Sequence, residues 1–464
     1  MNKKLYMFLF FIIFVEGFFT LSLELLSIRQ LISFVGNGTE VLSIIISAVL
    51  LPLAFGYHYG GIKYKSKFKK NSNVKIRNIL RKNILIIIAL SAIGFNLFTM
   101  KFFFYSFHLP QLIELTIFVL IFLALPSFLL GQTVPLISNY FSKNDISKIT
   151  GKILFLSTFG SFTGSIITTL VLMRFIGVSY TLLVIETFLL LTLLLISKKK
   201  ILTFIQILII FLIILLYLKF SLNIFNIEYE NNYSTTAIET LKKDNNITEK
   251  ILKINNSHSS MINNKNKSFI IYNVLNDMIS QYKDKKILII GAGGFVLGLH
   301  DKNHNSITYI DIDPELKKLA ETKFIKQKIN GKFYAKEVRS FLNENKNKYD
   351  LIIVDAFTNK NSIPYSLLSK EFYILLKNRL NKNGTVISNM IMDFYKRDSF
   401  SRNFIKTINE VFNNVSILPL TKKMNYKYLN KKYDYINNIV IMKNINKKIN
   451  SYTDDKNNCS FDKK

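Results

Sequence analysis

Two short runs put glycines and a carboxylate where a nucleoside could be held. Lys286-Ile287-Leu288-Ile289-Ile290-Gly291-Ala292-Gly293-Gly294 reads as a buried strand running into a glycine loop, which lets backbone approach a ligand at the start of a helix. Twenty residues after Gly291, Asp311 closes the apolar run Ile307-Thr308-Tyr309-Ile310, at the spacing where a carboxylate takes the two hydroxyls of a ribose. Gly291, Gly293, Gly294 and Asp311 are therefore the candidate nucleoside ligands. A helix-start acid is the competing reading of Asp311, but Asp313-Pro314-Glu315 fills that role better. Glu337, ahead of Val338-Arg339-Ser340-Phe341-Leu342, is placed either to accept from an adenine amino group or to serve as a solvated acid at a helix start. Tyr349-Asp350-Leu351-Ile352-Ile353-Val354 delivers Asp355 to the carboxyl end of a further buried strand, where open α/β sheets bind ligands. A dinucleotide fingerprint is disfavoured, because Val296 stands where its last glycine belongs.

These runs need a scaffold of alternating strands and helices. After residue 220 the sequence predicts a β-rich lead-in at 227–262, a helix near 266–282, and strands at 286–290, 307–311 and 351–354 with helical segments between them. That alternation implies a parallel, doubly wound, Rossmann-like sheet. The expected domains are 1–220, the lead-in 221–265, an α/β domain over 266–443, and a polar tail 444–464 with little to bury, read as disordered.

The first 220 residues are of another kind. Hydrophobic residues make up 49% of a chain that is still 20% charged, so the apolar residues must be segregated. Seven stretches meet the length of a spanning helix: 5–33, 41–61, 83–104, 112–137, 153–176, 178–197 and 201–219. The first is too long for a signal peptide and carries Glu16, Glu24 and Arg29. Lys and Arg crowd the 63–82 loop, including Lys63, Lys65, Lys67, Arg77 and Arg81, and recur at Lys143, Lys148 and Lys198–Lys200, which assigns these loops to the cytoplasm. Seven spans would then leave the C-terminal half outside, whereas a nucleoside co-substrate calls for the cytoplasm. The expectation is an integral protein of the cell (inner) membrane with its soluble domain cytoplasmic, in tension with that count.

The net charge of +31 is shared between the halves and the Lys residues are dispersed, so the bilayer is the expected partner and nucleic acid is not. Homodimer formation is left open. The single cysteine, Cys459, excludes an internal disulfide, and the five histidines lack metal-ligand spacing, so no metal is expected. Glu24 and Arg29, five apart in an apolar segment, read as a structural ion pair, an interhelical pairing or a route for a charged substrate.

From Tyr233 to Asn389 the chain resembles the spermidine synthase (polyamine aminopropyltransferase) family, within the S-adenosylmethionine-dependent methyltransferase type of fold. The residues that carry the resemblance are Asn255–Ser259, Tyr272, the glycine loop, Ile310–Pro314, Asp355, Ile363-Pro364 and Leu368-Ser369-Lys370-Glu371-Phe372-Tyr373. The N-terminal half resembles the membrane segment fused to a branch of that family, at Leu23-Glu24, Arg29, Gly131-Gln132-Thr133-Val134-Pro135, Ser157-Thr158-Phe159-Gly160 and Gly164. The resemblance implies aminopropyl transfer from decarboxylated S-adenosylmethionine to a small amine. Asp311 would hold the ribose, Glu337 would lie near adenine, Asp355 would be the catalytic acid beside the amine, and His258, Ser259 and Tyr272 would bind substrate. Gly294 and Thr358 depart from the pattern, which has acids at both positions to hold cationic groups. Methyl transfer from S-adenosylmethionine is one alternative. A non-catalytic nucleoside-binding sensor coupled to a transporter of polyamine-like cations is another.

Overall fold

The computed structural model describes residues 3–36, 38–65, 72–107, 109–138, 146–197, 199–243, 247–357, 364–420 and 435–443. Thr358, Ile363, Lys67, Lys143, Lys198, Cys459 and the 444–464 tail lie outside the described residues. The chain divides into two compact units, Met1–Thr235 and Thr236–Lys464.

The first unit is helical: α1 (Lys3–Val35), α2 (Thr39–Lys65), α3 (Ser72–Gly94), α4 (Leu97–Ser106), α5 (Gln111–Ser138), α6 (Ser147–Ile176), α7 (Val178–Ile196) and α8 (Lys200–Ile224). Six of its described helices are long and apolar enough to cross a membrane, and the pair α3 and α4, bent by 63° at their break, makes a seventh if taken as one. The expected stretch 83–104 is thus a broken element rather than a straight one. α8 also runs past the boundary expected at residue 220. α1 and α6 approach backbone to backbone. A Cβ at Gly17 would strike the Ser157 carbonyl and one at Gly160 the Phe14 carbonyl, the small-residue contact that lets apolar helices pack closely.

In the second unit β2 (Thr235–Lys243), β3 (Ile247–Ile254) and β4 (Ser257–Asn263) run antiparallel, which accounts for the β-rich lead-in; the short strand β1 (Ile227–Glu230) precedes them. Then α9 (Ile270–Ile279), tighter than the 266–282 expected, leads to β5 (Lys286–Ile290), β6 (Ser306–Asp311), β7 (Lys332–Ala335), β8 (Tyr349–Val354) and β9 (Leu380–Asp393). β10 (Asn414–Pro419) and β11 (Tyr435–Lys443) complete a sheet ordered β10-β11-β9-β8-β5-β6-β7. β5 to β9 pair in parallel, but β11 lies antiparallel to both β9 and β10, so the sheet is mixed rather than wholly parallel. The sequence reading missed this antiparallel edge because β10 is short and mixed in polarity, and β11 opens on paired asparagines rather than on a βαβ pattern. The central strands are buried on both faces, from Ile287 to Ile290 and from Leu351 to Val354, as their unbroken Ile/Leu/Val runs require.

Candidate active site

Strand register assembles the site. Ile290 pairs with Ile310 on one side and with Val354 on the other, so Gly291, Asp311 and Asp355 emerge side by side at the carboxyl ends of β5, β6 and β8. β5 is the first strand of this sheet and its neighbours come later in the chain on both flanks, which makes this end the topological switch point. The Gly291 amide donates to the Ile310 carbonyl at 2.9 Å and the Asp355 amide to the Ile290 carbonyl at 2.8 Å, extending the ladder into the site. Gly291 has φ +88°, and a Cβ there would drive into the Asp355 carbonyl, so only glycine fits.

Asp311 is gripped by backbone. Its Oδ2 accepts from the Ala292 amide at 2.9 Å and its Oδ1 from the Asp313 amide at 3.1 Å. Burial pushes its pKa up to about 6, against the lowering effect of those amides. The Gly293 amide adds to this grip, and the carboxylate's acceptor sites are not all taken by the three amides. Accepting from a ribose hydroxyl is the role the sequence leads one to expect of Asp311, and the structure leaves it with acceptor capacity at the strand end.

Asp355 is held by side chains. Asn389, on β9, donates Nδ2 to Asp355 Oδ1 at 2.8 Å, and the Tyr272 hydroxyl is its other hydrogen-bond partner. Burial pushes the Asp355 carboxyl above the usual range, and the two partners pull it back in part. Burial, reinforced by the charge of Asp355, raises the Tyr272 phenol well above its ordinary value. Tyr272, on α9, also donates to the Ser259 carbonyl at 2.5 Å. One phenolic proton thus faces two acceptors, and a protonated Asp355 can donate back to the phenol oxygen. Asn389 was not among the sequence-predicted site residues. Its signal was an amide inside the buried run Val386-Ile387-Ser388-Asn389-Met390, a placement that is costly unless the side chain is bonded.

The remaining candidates divide. Ser259 lies on β4 against the glycine loop, its Oγ 2.9 Å from where a Gly293 Cβ would stand, while His258 beside it is exposed. The Gly294 amide donates to Ser260 Oγ at 2.9 Å, and a Cβ at Gly294 would meet Phe324 and Ser260, so these side chains fill the volume an acid would need. Glu337 is exposed and caps α10 (Val338–Glu344), accepting from the Ser340 amide at 2.8 Å, which is the helix-start role weighed for it. In the helical unit Glu24 is buried, and Arg29 donates through Nε to the Asn231 carbonyl at 3.2 Å. Among the described residues no cluster of three or more His, Cys, Asp or Glu is placed to hold a metal.

Residues 271–437 match the Spermine/spermidine synthase domain family. Polyamine aminopropyltransferase 2 of Aquifex aeolicus is 31% identical over 136 residues, 27% of this chain and 27% of that protein. Polyamine aminopropyltransferase of Saccharolobus islandicus is 32% identical over 143 residues, 28% of this chain and 47% of that protein. The chain thus spans less than half the length of either relative. A probable spermidine synthase from Corynebacterium glutamicum overlays with a TM-score of 0.38 at 18% identity, over 46% of this chain and 78% of that one.

Proposed function

Taking residues 271–437 as a spermine/spermidine synthase domain, we propose that this chain is a membrane-bound transferase that moves an aminopropyl group from decarboxylated S-adenosylmethionine to an amine. The observation that carries the reading is Asp355: a half-buried carboxyl of raised basicity, across β5 from the ribose acid Asp311 and braced by Asn389 and Tyr272.

The sulfonium carbon of the donor is already electrophilic, so the protein has to align an unprotonated amine with it and remove a proton. The amine nitrogen attacks the propyl carbon next to sulfur, the C–N bond forms, the C–S bond breaks, and methylthioadenosine leaves with the electron pair. The proton lost by nitrogen passes to Asp355, whose burial makes it a stronger base than an exposed carboxylate. Tyr272 orients that carboxyl and accepts its hydrogen bond once protonated. Asp311 fixes the donor through its ribose and sets the sulfonium opposite the amine. The long apolar helices of the first unit are proposed to span the bilayer, with the Lys-rich 63–82 loop in the cytoplasm.

Gly294 favours a second reading. With Phe324 and Ser260 in place of an acid, the loop has no carboxylate for the donor's ammonium, which suits methyl transfer from intact S-adenosylmethionine. The deciding experiment is single-turnover assay of the full chain with each donor and a panel of primary amines. Methylthioadenosine release from the decarboxylated donor, abolished in Asp355→Asn, supports aminopropyl transfer. S-adenosylhomocysteine release from the intact donor would replace it with methyl transfer. Topology has a built-in probe, because Cys459 is the only cysteine. An impermeant maleimide should label it only after cells are permeabilised, and labelling of intact cells would put the domain outside.

A further inference from the structure

We propose that the helical unit holds a second site, a pocket for one ammonium group built by Glu186, Gln30 and Ser91 beside the break between α3 and α4. Glu186 lies in the middle of α7 and is fully buried. Its Oε1 is 2.6 Å from the Ser91 hydroxyl, and its Oε2, equally buried, has no hydrogen-bond partner. That serine offers weak support. Its single proton is also within reach of the Ile87 carbonyl at 2.9 Å and the Ile88 carbonyl at 3.3 Å. Gln30, on α1, is buried too and donates Nε2 to the Phe95 carbonyl at 3.2 Å, while its own Oε1 has no partner.

Both orphaned oxygens belong to side chains anchored near the same helix end. Phe95 donates its amide to the Ser91 carbonyl at 2.9 Å, so Ser91 and Phe95 stand one helical turn apart on one face. The carboxyl of Glu186 and the amide of Gln30 are anchored to those two residues, and so are brought to the same turn. Just beyond it the helix breaks. α3 ends at Gly94, the next half-helix starts at Leu97 under an Asn96 cap, and the axis turns by 63°. Helix breaks inside apolar bundles release backbone carbonyls and recur at ion and substrate sites.

The donor set defines the ligand class. It consists of oxygens only, and Glu186 when ionised supplies a single negative charge, so it balances one positive charge and leaves a divalent ion uncompensated. The N–H bonds of an ammonium head match acceptors projecting from separate helices, whereas calcium or magnesium needs a closed shell of six or more oxygens. A buried carboxylate oxygen with no donor is what such a cation would satisfy. The proposal does not rest on the transferase reading, because none of its residues belongs to the α/β domain.

The test uses the full chain in lipid nanodiscs, in an Asp355→Asn background so that the acid of the α/β site contributes nothing. Binding of radiolabelled methylammonium is followed by scintillation proximity, with sodium as competitor. One saturable site per chain is expected, weakened at least tenfold by Glu186→Gln and severalfold by Gln30→Met, which keeps side-chain length and removes the carbonyl. Should Glu186→Gln fail to fold, the Gln30→Met variant, checked by its unchanged melting temperature, decides alone. Absence of saturable binding, binding indifferent to both substitutions, or tighter binding of sodium than of methylammonium overturns the proposal.

Discussion

The two halves of the cleft hold their acids by different means. Asp311 takes its hydrogen bonds from main-chain amides, whereas Asp355 takes its bonds from an amide side chain and a phenol. Main-chain donors are part of the strand-to-loop geometry and cannot rotate away, which suits a group that has only to bind. Side-chain donors can yield or exchange a proton, which suits a group whose charge changes during reaction. Both acids are half-buried and pushed upward in pKa by desolvation, so that alone does not separate the roles; the identity of the donors does.

The largest expected effect comes from breaking the reactive half. Asp355→Asn should lower kcat by roughly 100- to 10,000-fold, the usual worth of a positioned general base, while donor affinity stays within about threefold. Rapid-quench turnover together with calorimetric donor binding checks both parts. Breaking the binding half reverses the pattern. Asp311→Ala removes two charge-assisted hydrogen bonds and should weaken donor binding by about 3 kcal/mol, roughly 100-fold in Kd. In the wild-type chain donor affinity should hold above pH about 6 and fall below it as Asp311 is protonated, a fall absent from Asp311→Ala.

Altering the glycine loop probes how firmly the two halves are joined. Gly291→Ala places a Cβ against the Asp355 carbonyl in a left-handed conformation and should cost about 2 kcal/mol or more of stability, read by chemical denaturation. Gly294→Asp, which introduces an acid into the loop, should lower the melting temperature rather than raise activity, because Phe324 and Ser260 occupy its space. The smallest effect is the sharpest. Asn389→Ala removes a donor that stabilises ionised Asp355, so the carboxyl pKa rises further and the acidic limb of the kcat profile moves to higher pH. An unmoved limb would assign the base elsewhere.

Much of this was legible in the residues. The run Lys286–Gly294, the spacing to Asp311 and the strand ending at Asp355 are local patterns, and strand register turns them into one site with little freedom left. Glu337 shows the limit. Its position ahead of a helix suited either a ligand or a cap, and the cap geometry at Ser340 was invisible without coordinates. Asn389 shows the opposite failure, a functional neighbour hidden in an apolar strand some thirty residues from its partner.

By itself the sequence determined what depends on neighbours along the chain: long apolar helices before residue 220, alternating strands and helices after it, and the glycines and acids at the strand ends. Tertiary structure decided what depends on pairing between distant segments. It brought Asn389 and Tyr272 to Asp355, filled the space beside Gly294 with Phe324 and Ser260, added an antiparallel edge through β11, and bonded Gln30 to Phe95 and Glu186 to Ser91. The reason is physical: periodicity encodes which face of an element is buried, but not which other element buries it.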